Sequence, residues 1–121
     1  MDIFINGNNE FRFEADGDFH ADGDITAFST TTASDARLKS DIHTINDALG
    51  IVGKLRGVSY KWLRDGKSDI GVIAQEVEQV IPEVVKTKKT LGLDGEEEIK
   101  TVDYRKMVGV LINEINELKA E

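Results

Sequence analysis

The pattern of apolar and polar residues divides the chain into a short N-terminal part and a longer C-terminal part. In the N-terminal part, residues 11–14 alternate between apolar and polar, which is the period of a strand with one buried face. Two hexads follow, 15–20 and 21–26, each with an Asp-Gly turn signal ahead of one large apolar residue. So few apolar residues bury little surface in one chain. This part is therefore expected to find its core in other copies of itself, and the alternative is an ordinary hairpin packed on the rest of the chain.

The longer part predicts two helices ahead of its last segment. Ile42, Ile45, Leu49 and Val52 recur at helical spacing and predict a helix over about 44–55, with Thr44 as its N-cap. A second, short helix is predicted over 75–81 and ends at Pro82, because proline cannot continue a helix.

Two hairpins are predicted in the same part. The pattern predicts strands over residues 58–62 and 70–74, on either side of an Asp65-Gly66 turn. A second pair of strands is predicted over residues 84–90 and 97–102, around an Asp94-Gly95 turn. A final helix is predicted from its N-cap, Asp103, to the end of the chain.

The final helix carries a narrow apolar stripe. Its members are Val108, Leu111, Ile115 and Leu118, which follow the a/d spacing of a coiled-coil seam. A stripe of this kind packs either on its own domain or on identical helices. Because the clean pattern covers fewer than two heptads, periodicity by itself slightly favours packing on the same domain.

Composition limits the class of protein. The chain has 121 residues with a formal net charge of −8, and such an acidic chain lacks the basic face that binds nucleic acid. The longest apolar run, 107–112, is far shorter than the ~20 residues that cross a bilayer, so no membrane partner is expected.

The net charge differs between the two parts of the chain, which meet near residue 33. Residues 1–33 hold seven acidic residues and one arginine, a net −6, and 34–121 hold sixteen acidic and fourteen basic residues, a net −2.

No metal or cofactor is expected. The chain has no cysteine, and its two histidines share no ligand spacing. The acidic residues Asp16, Asp18, Asp22 and Asp24 lack the order of a calcium loop, so turn formation and solubility explain them, although a hard cation remains an alternative. The glycines of 50–57 lack the strand and the lysine of a phosphate-binding loop.

Ser34 and Lys39 are the candidate reactive pair, and they lie where the composition changes. A serine hydroxyl needs a base to act as a nucleophile, and a lysine whose surroundings lower its pKa can be that base. On spacing alone, Ser-Asp before an apolar run is more often a cap or a turn, and the lysine a solvated charge.

The segment Ser34-Asp35-x-Arg37-Leu38-Lys39-x-Asp41-Ile42 resembles the opening of a known domain. That domain is the intramolecular chaperone of phage endosialidases, tail fibres and neck appendages, a family also called peptidase S74. Residues 58–62 resemble its first core strand, and 71–78 with 81–85 resemble its most distinctive block. Residues 100–104 and the final helix resemble its end, so the resemblance covers 34–121.

The resemblance implies an α+β homotrimer with two parts. Residues 1–33 would be the end of a β-rich fibre or spike stem, and 34–121 a chaperone domain with antiparallel hairpins and a long C-terminal helix. The chaperone would template the folding of its own stem and then release itself as an autocatalytic serine endopeptidase. Its partners would be its own copies and its own upstream stem, and its location the virion, after synthesis in the host cytoplasm.

The resemblance also assigns residues. The scissile bond would join Ala33 to Ser34, with Ser34 as nucleophile and Lys39 as base. Asp35, Gln75 and Glu76 are candidate supporting residues. The stripe Val108, Leu111, Ile115 and Leu118 would hold the trimer or grip the stem.

Two alternatives remain open. The chain could be a structural trimerisation tip of a viral fibre that never cuts itself, or a small soluble binding domain unrelated to phage, which would be a monomer. One species at the full mass of 13.4 kDa would favour the first alternative, and two fragments would favour self-cleavage.

Overall fold

The computed structural model describes residues 1–89 and 97–121, which fold into strands, α-helices and 3-10 turns. The strands are β1 (Asp2–Ile5), β2 (Asn8–Phe13), β3 (Phe19–Ala21), β4 (Val58–Lys61), β5 (Ser68–Gly71), β6 (Val85–Lys89) and β7 (Glu98–Val102). The helices are α1 (Ala48–Gly53), α2 (Ala74–Glu78) and α3 (Met107–Ala120). The chain forms two compact units, Met1–Ile42 with Lys88–Ile99, and His43–Thr87 with Lys100–Glu121.

The first unit contains a three-stranded antiparallel sheet in the order β1-β2-β3. Asn6 and Gly7 join β1 to β2 with φ angles of 53° and 82°, the left-handed conformation that a two-residue hairpin turn requires. The predicted Asp16-Gly17 turn joins β2 to β3, and Gly17 has φ 93°. The strand predicted over 11–14 is confirmed within β2.

The second hexad does not repeat the first. Its Asp22-Gly23 pair bends the chain, but residues 24–35 form neither helix nor strand. The Asp22 N–H donates to the Glu10 carbonyl at 3.0 Å, which closes the sheet at this end. The sheet leaves Phe13 and Phe19 nearly half exposed although their rings are 5.0 Å apart. The unit therefore does not bury its own aromatic residues.

The second unit has a small core. Its buried residues come from α1, α2, the 3-10 turn Pro82–Val84 with the residue before it, and α3. They are Ala48, Val77, Ile81, Val84 and Val110. The predicted short helix is present as α2, but it ends at Glu78 rather than at residue 81, and Pro82 opens the 3-10 turn that follows it. Because the core is so small, much apolar surface stays outside it.

The first helix of this unit is shorter than predicted. The sequence places it at 44–55 with Thr44 as N-cap, whereas α1 begins at Ala48 and its N-cap is Asp47. The Asp47 carboxylate accepts the Gly50 N–H at 3.2 Å. Ile42 lies outside the helix and is exposed.

The reason for the late start lies in α3. The Asn113 amide donates to the Ile45 carbonyl at 3.0 Å, which occupies a group that a longer helix would use. The Glu117 carboxylate accepts the N–H of Ala48 at 2.7 Å and that of Leu49 at 3.3 Å. These contacts satisfy the free donors at the helix start and fix the start at Ala48.

Both predicted strand pairs form. Strands β4 and β5 are antiparallel, and Gly66 in the predicted turn has φ 72°. The returning strand is predicted over 70–74 but ends at Gly71, where the chain turns toward α2. Strands β6 and β7 pair with each other, and the predicted Asp94-Gly95 turn lies outside the described residues.

The last helix begins as predicted at Asp103, whose carboxylate accepts the Arg105 N–H at 3.2 Å. Its first turn is a 3-10 turn, Tyr104–Lys106, and α3 follows. Val110, Asn113 and Glu117 face the unit, whereas the predicted stripe of Val108, Leu111, Ile115 and Leu118 stays 44–52% exposed. The slight preference for packing this stripe on its own domain is therefore wrong, because a neighbouring face of the helix makes that contact.

Candidate functional site

Ser34 and Lys39 lie in direct contact. The Lys39 Nζ donates to the Ser34 Oγ at 2.7 Å. The 3-10 turn Ala36–Leu38 separates the two residues, and the Lys39 N–H closes it by donating to the Ala36 carbonyl at 3.1 Å. This tight turn lets the lysine side chain reach back to the serine five residues earlier.

Asp35 shapes the turn. Its Oδ1 accepts the backbone N–H of Arg37 at 2.9 Å, which makes Asp35 the N-cap. The Arg37 guanidinium donates to both carboxylate oxygens, at 3.1 Å from Nε and 2.8 Å from Nη2. The guanidinium and the capped N–H hold the pKa of Asp35 below its usual value. Asp35 therefore stays ionised and bonded to Arg37, where it stabilises the turn.

The pair is open to water in the described chain. All residues from 34 to 39 are exposed. A lysine serves as a base only in its neutral form, which desolvation favours. The structure therefore brings the two groups into hydrogen-bond contact and leaves both in water.

Two of the predicted supporting residues lie in the second unit, on α2. Glu76 accepts two hydrogen bonds from the Arg56 guanidinium, each 2.8 Å, and this partner holds the pKa of Glu76 below its usual value. Glu76 is thus engaged in fixing α2 to the segment after α1. Gln75 is exposed, and its supporting role stays a prediction.

The sequence did not predict the close contact between Gly71 and Tyr104. The Val72 N–H donates to the Tyr104 hydroxyl at 3.2 Å. A Cβ on residue 71 would lie 2.5 Å from that hydroxyl oxygen, so only glycine fits. A glycine inside a strand is the signal that could have indicated such a close approach. The contact joins the block at 71–78 to the segment at 100–104.

The turn between β2 and β3, residues 14–18, forms a charge cluster that the sequence did not predict. Glu14, Asp16 and Asp18 bring carboxylate oxygens within 4.8 Å of one another. The Lys88 ammonium lies among them, 3.4 Å from Glu14 and 3.7 Å from Asp16, and it also pairs with Asp18. An ammonium therefore occupies the place where the sequence left a hard cation as the alternative.

The stripe on α3 is an apolar surface that stays about half exposed. Ile112 beside it is also about half exposed, which widens the surface. Within the described residues, no helix is both long and apolar enough to cross a membrane.

The sequence is similar to one protein family and to several phage proteins. Residues 34–86 match the family described as chaperone of endosialidase, which is classed as peptidase S74. The chain is 32% identical over 126 residues to the long tail fiber protein Gp37 of Enterobacteria phage K3, and this match covers 99% of the chain and 10% of that protein. The corresponding protein of Salmonella phage S16 is 31% identical over 102 residues, covering 72% of the chain and 13% of that protein. The chain thus spans about a tenth of the length of the relatives it matches.

Proposed function

We propose that the chain is part of a phage tail fibre that carries its own chaperone, because residues 34–86 match the chaperone-of-endosialidase family. Residues 1–33 would be the end of the fibre stem and 34–121 the chaperone domain. The similarity to long tail fiber proteins along nearly the whole chain supports this role and a place in the virion. The observation that carries self-cleavage is the 2.7 Å contact between Lys39 Nζ and Ser34 Oγ at the start of the matched segment.

The proposed reaction moves one acyl group and then releases it. The Ser34 Oγ attacks the Ala33 carbonyl carbon, and neutral Lys39 takes the hydroxyl proton. The intermediate collapses, the bond from the Ala33 carbonyl carbon to the Ser34 nitrogen breaks, and Lys39 returns the proton to that nitrogen. The resulting ester joins Ala33 to the Ser34 Oγ. Water then hydrolyses it and leaves a carboxylate on Ala33 and a free amine on Ser34.

Assembly is proposed to complete the site. The stripe of Val108, Leu111, Ile115 and Leu118 is about half exposed, so covering it contributes about 1 kcal/mol for each side chain. A homotrimer held by this stripe would bring three stems into register at high effective concentration. Stems made of non-local strand contacts fold slowly, and loop closure opposes their first contacts. A trimeric chaperone that holds the three stems together removes part of this entropic cost of loop closure.

The test is the mass of the freshly expressed chain together with that of two serine variants. Wild type should give two fragments that meet at Ala33 and Ser34, from a trimeric assembly. Ser34→Ala should assemble equally well and remain one species, because the hydroxyl is the nucleophile. Ser40→Ala is the matched control, since it removes an exposed serine hydroxyl just beyond the turn, and it should cut like wild type. Fragments with the same boundary from Ser34→Ala would overturn the assignment.

A structural tip that never cuts is the second candidate function. The exposure of both Ser34 and Lys39 in the described chain favours it, because a solvated lysine is a poor base at neutral pH. A wild-type trimer that remains a single species of 13.4 kDa after prolonged incubation would select this function instead.

A further inference from the structure

Lys88 joins two segments that lie on opposite sides of the proposed scissile bond. The acidic turn, residues 14–18, precedes that bond, and Lys88 on β6 follows it by more than fifty residues. The Lys88 Nζ donates to Glu14 Oε2 at 3.4 Å and to Asp18 Oδ2, and it lies 3.7 Å from Asp16 Oδ2. One ammonium therefore contacts three carboxylates of the acidic turn.

The cluster is partly removed from water. The Lys88 side chain is 27% exposed and that of Glu14 is 21% exposed, whereas Asp18 is 43% and Asp16 60% exposed. The Asp18 carboxylate, with a smaller effect of Glu14, raises the pKa of Lys88 above its usual value, so the ammonium stays charged. Fully exposed ion pairs add little to stability, whereas removing one partner of a desolvated pair leaves the other charges uncompensated.

The charges of the two segments are complementary beyond this contact. Residues 1–33 carry a net −6, whereas three of the five residues of β6 are lysines, Lys86, Lys88 and Lys89. The first compact unit itself combines Met1–Ile42 with Lys88–Ile99. Cutting the chain after Ala33 would break a covalent link and leave every ion pair of the cluster intact.

We propose that β6 is a docking strand for the acidic turn and that Lys88 keeps the product 1–33 bound to 34–121 after the cut. The occupant is thus a segment of this chain with a cluster of carboxylates on a tight turn. The proposal rests on the proposed function only for the origin of the cut. It makes self-cleavage and product release two separate steps.

Salt should control the second step. The Debye length falls from about 10 Å at 0.1 M ionic strength to about 3 Å at 1 M, which is comparable to the distances in the cluster. Because Lys88 and Asp18 keep 27% and 43% of their side-chain surface in water, 1 M NaCl should screen their attraction and weaken the association.

The experiment uses the full chain and makes the cut independently of Ser34. In a Ser34→Ala background, a recognition sequence for a specific protease is inserted between Thr31 and Thr32, where the backbone is exposed and has no regular structure. The folded protein is cut with that protease and passed over a size-exclusion column at 0.1 M and at 1 M NaCl. Dissociation constants of the two pieces are then measured by dilution.

Lys88→Met is the test variant, because it keeps an unbranched side chain and removes the ammonium. Lys89→Met is the matched control, with the same change of charge on an exposed neighbour in the same strand. The pieces should co-elute at 0.1 M NaCl in the parent and in Lys89→Met. Lys88→Met should raise the dissociation constant about tenfold, because it leaves the partly shielded Glu14 and the more exposed Asp16 and Asp18 without their cation. Asp18→Asn should act in the same direction, and it replaces Lys88→Met if circular dichroism shows that variant misfolded before cutting.

Two results would overturn the proposal. One is separation of the parent pieces at 0.1 M NaCl, and the other is an equal dissociation constant for the Lys88 and Lys89 variants. A wild-type chain that never cuts itself would count against the proposed function alone, since the inserted site still allows the binding test.

Discussion

Replacing Lys39 with methionine should leave the fold intact and slow self-cleavage by about 10²–10⁴-fold. Methionine keeps an unbranched side chain but has no amine to accept a proton. Lys39 is exposed, so its loss removes little packing. Its Nζ lies 2.7 Å from the Ser34 Oγ, which is within the reach that a general base needs. The expected loss corresponds to about 3–5 kcal/mol of activation free energy, since each tenfold change in rate is about 1.4 kcal/mol.

Lys39→Arg separates proton transfer from positioning. The guanidinium keeps the positive charge and donates a hydrogen bond to the serine oxygen, but it does not lose its proton in proteins. Because arginine can hold Ser34 and cannot accept its proton, this variant should cut as slowly as the methionine variant. If Lys39 only fixed the turn, arginine would restore most of the rate.

Intact-mass spectrometry over time gives the rates, because self-cleavage would convert the precursor of 13.4 kDa into two products. Circular dichroism melts of the uncut variants show whether the fold is kept. A wild-type rate in Lys39→Met, or in Lys39→Arg, would refute the role of the lysine as base.

The remaining predictions concern other parts of the molecule. Gly71→Ala should destabilise the second unit by about 1–3 kcal/mol in thermal melts, because the new Cβ would lie 2.5 Å from the Tyr104 hydroxyl. Adding Tyr104→Phe should recover part of that loss, and no recovery would contradict the steric cause. Leu111→Asp combined with Ile115→Asp should give an uncut monomer in light scattering. Rapid cleavage of such a monomer would separate the reaction from assembly. The Asp35 carboxyl should titrate below 3.8 in an NMR experiment, because its guanidinium partner lowers the folded-state pKa. The stabilisation of the turn by this ion pair should then be complete above the ordinary Asp pKa of 3.8 and lost as the pH falls through the lowered pKa. A midpoint at or above 3.8 would argue against the ion pair.

Local sequence signals predicted the elements that depend on near neighbours. The hairpin around Gly66, the cap at Asp103 and the short helix ahead of Pro82 all appear in the structure. The turn that brings Lys39 to Ser34 is equally local, because a cap at Asp35 and five residues of chain suffice for it. Such features follow from backbone geometry and capping, which a short window of sequence contains.

Long-range contacts decided the rest. Periodicity placed the start of the first helix at Thr44, but the Glu117 carboxylate, 69 residues from Ala48, fixed it at Asp47 and Ala48. The stripe on α3 was visible in the sequence, although its exposure was not, because another face of the same helix supplies the contacts to the core.

Two ion pairs of the first unit, Asp35–Arg37 and Asp18–Lys88, show why some contacts can be predicted from sequence and others cannot. Asp35 and Arg37 are two residues apart, so their pairing depends only on a turn that the sequence itself encodes. Lys88 meets Asp18 across 70 residues, and nothing in either segment specifies the other. An ammonium can pair with any carboxylate that lies close to it. The path of the chain through the folded unit therefore decides which carboxylates lie close to Lys88. The sequence by itself determined the turn at Gly66, the cap at Asp103 and the candidate Ser34–Lys39 pair. Only the tertiary structure decided which acidic residues surround Lys88 and which face of α3 is left uncovered.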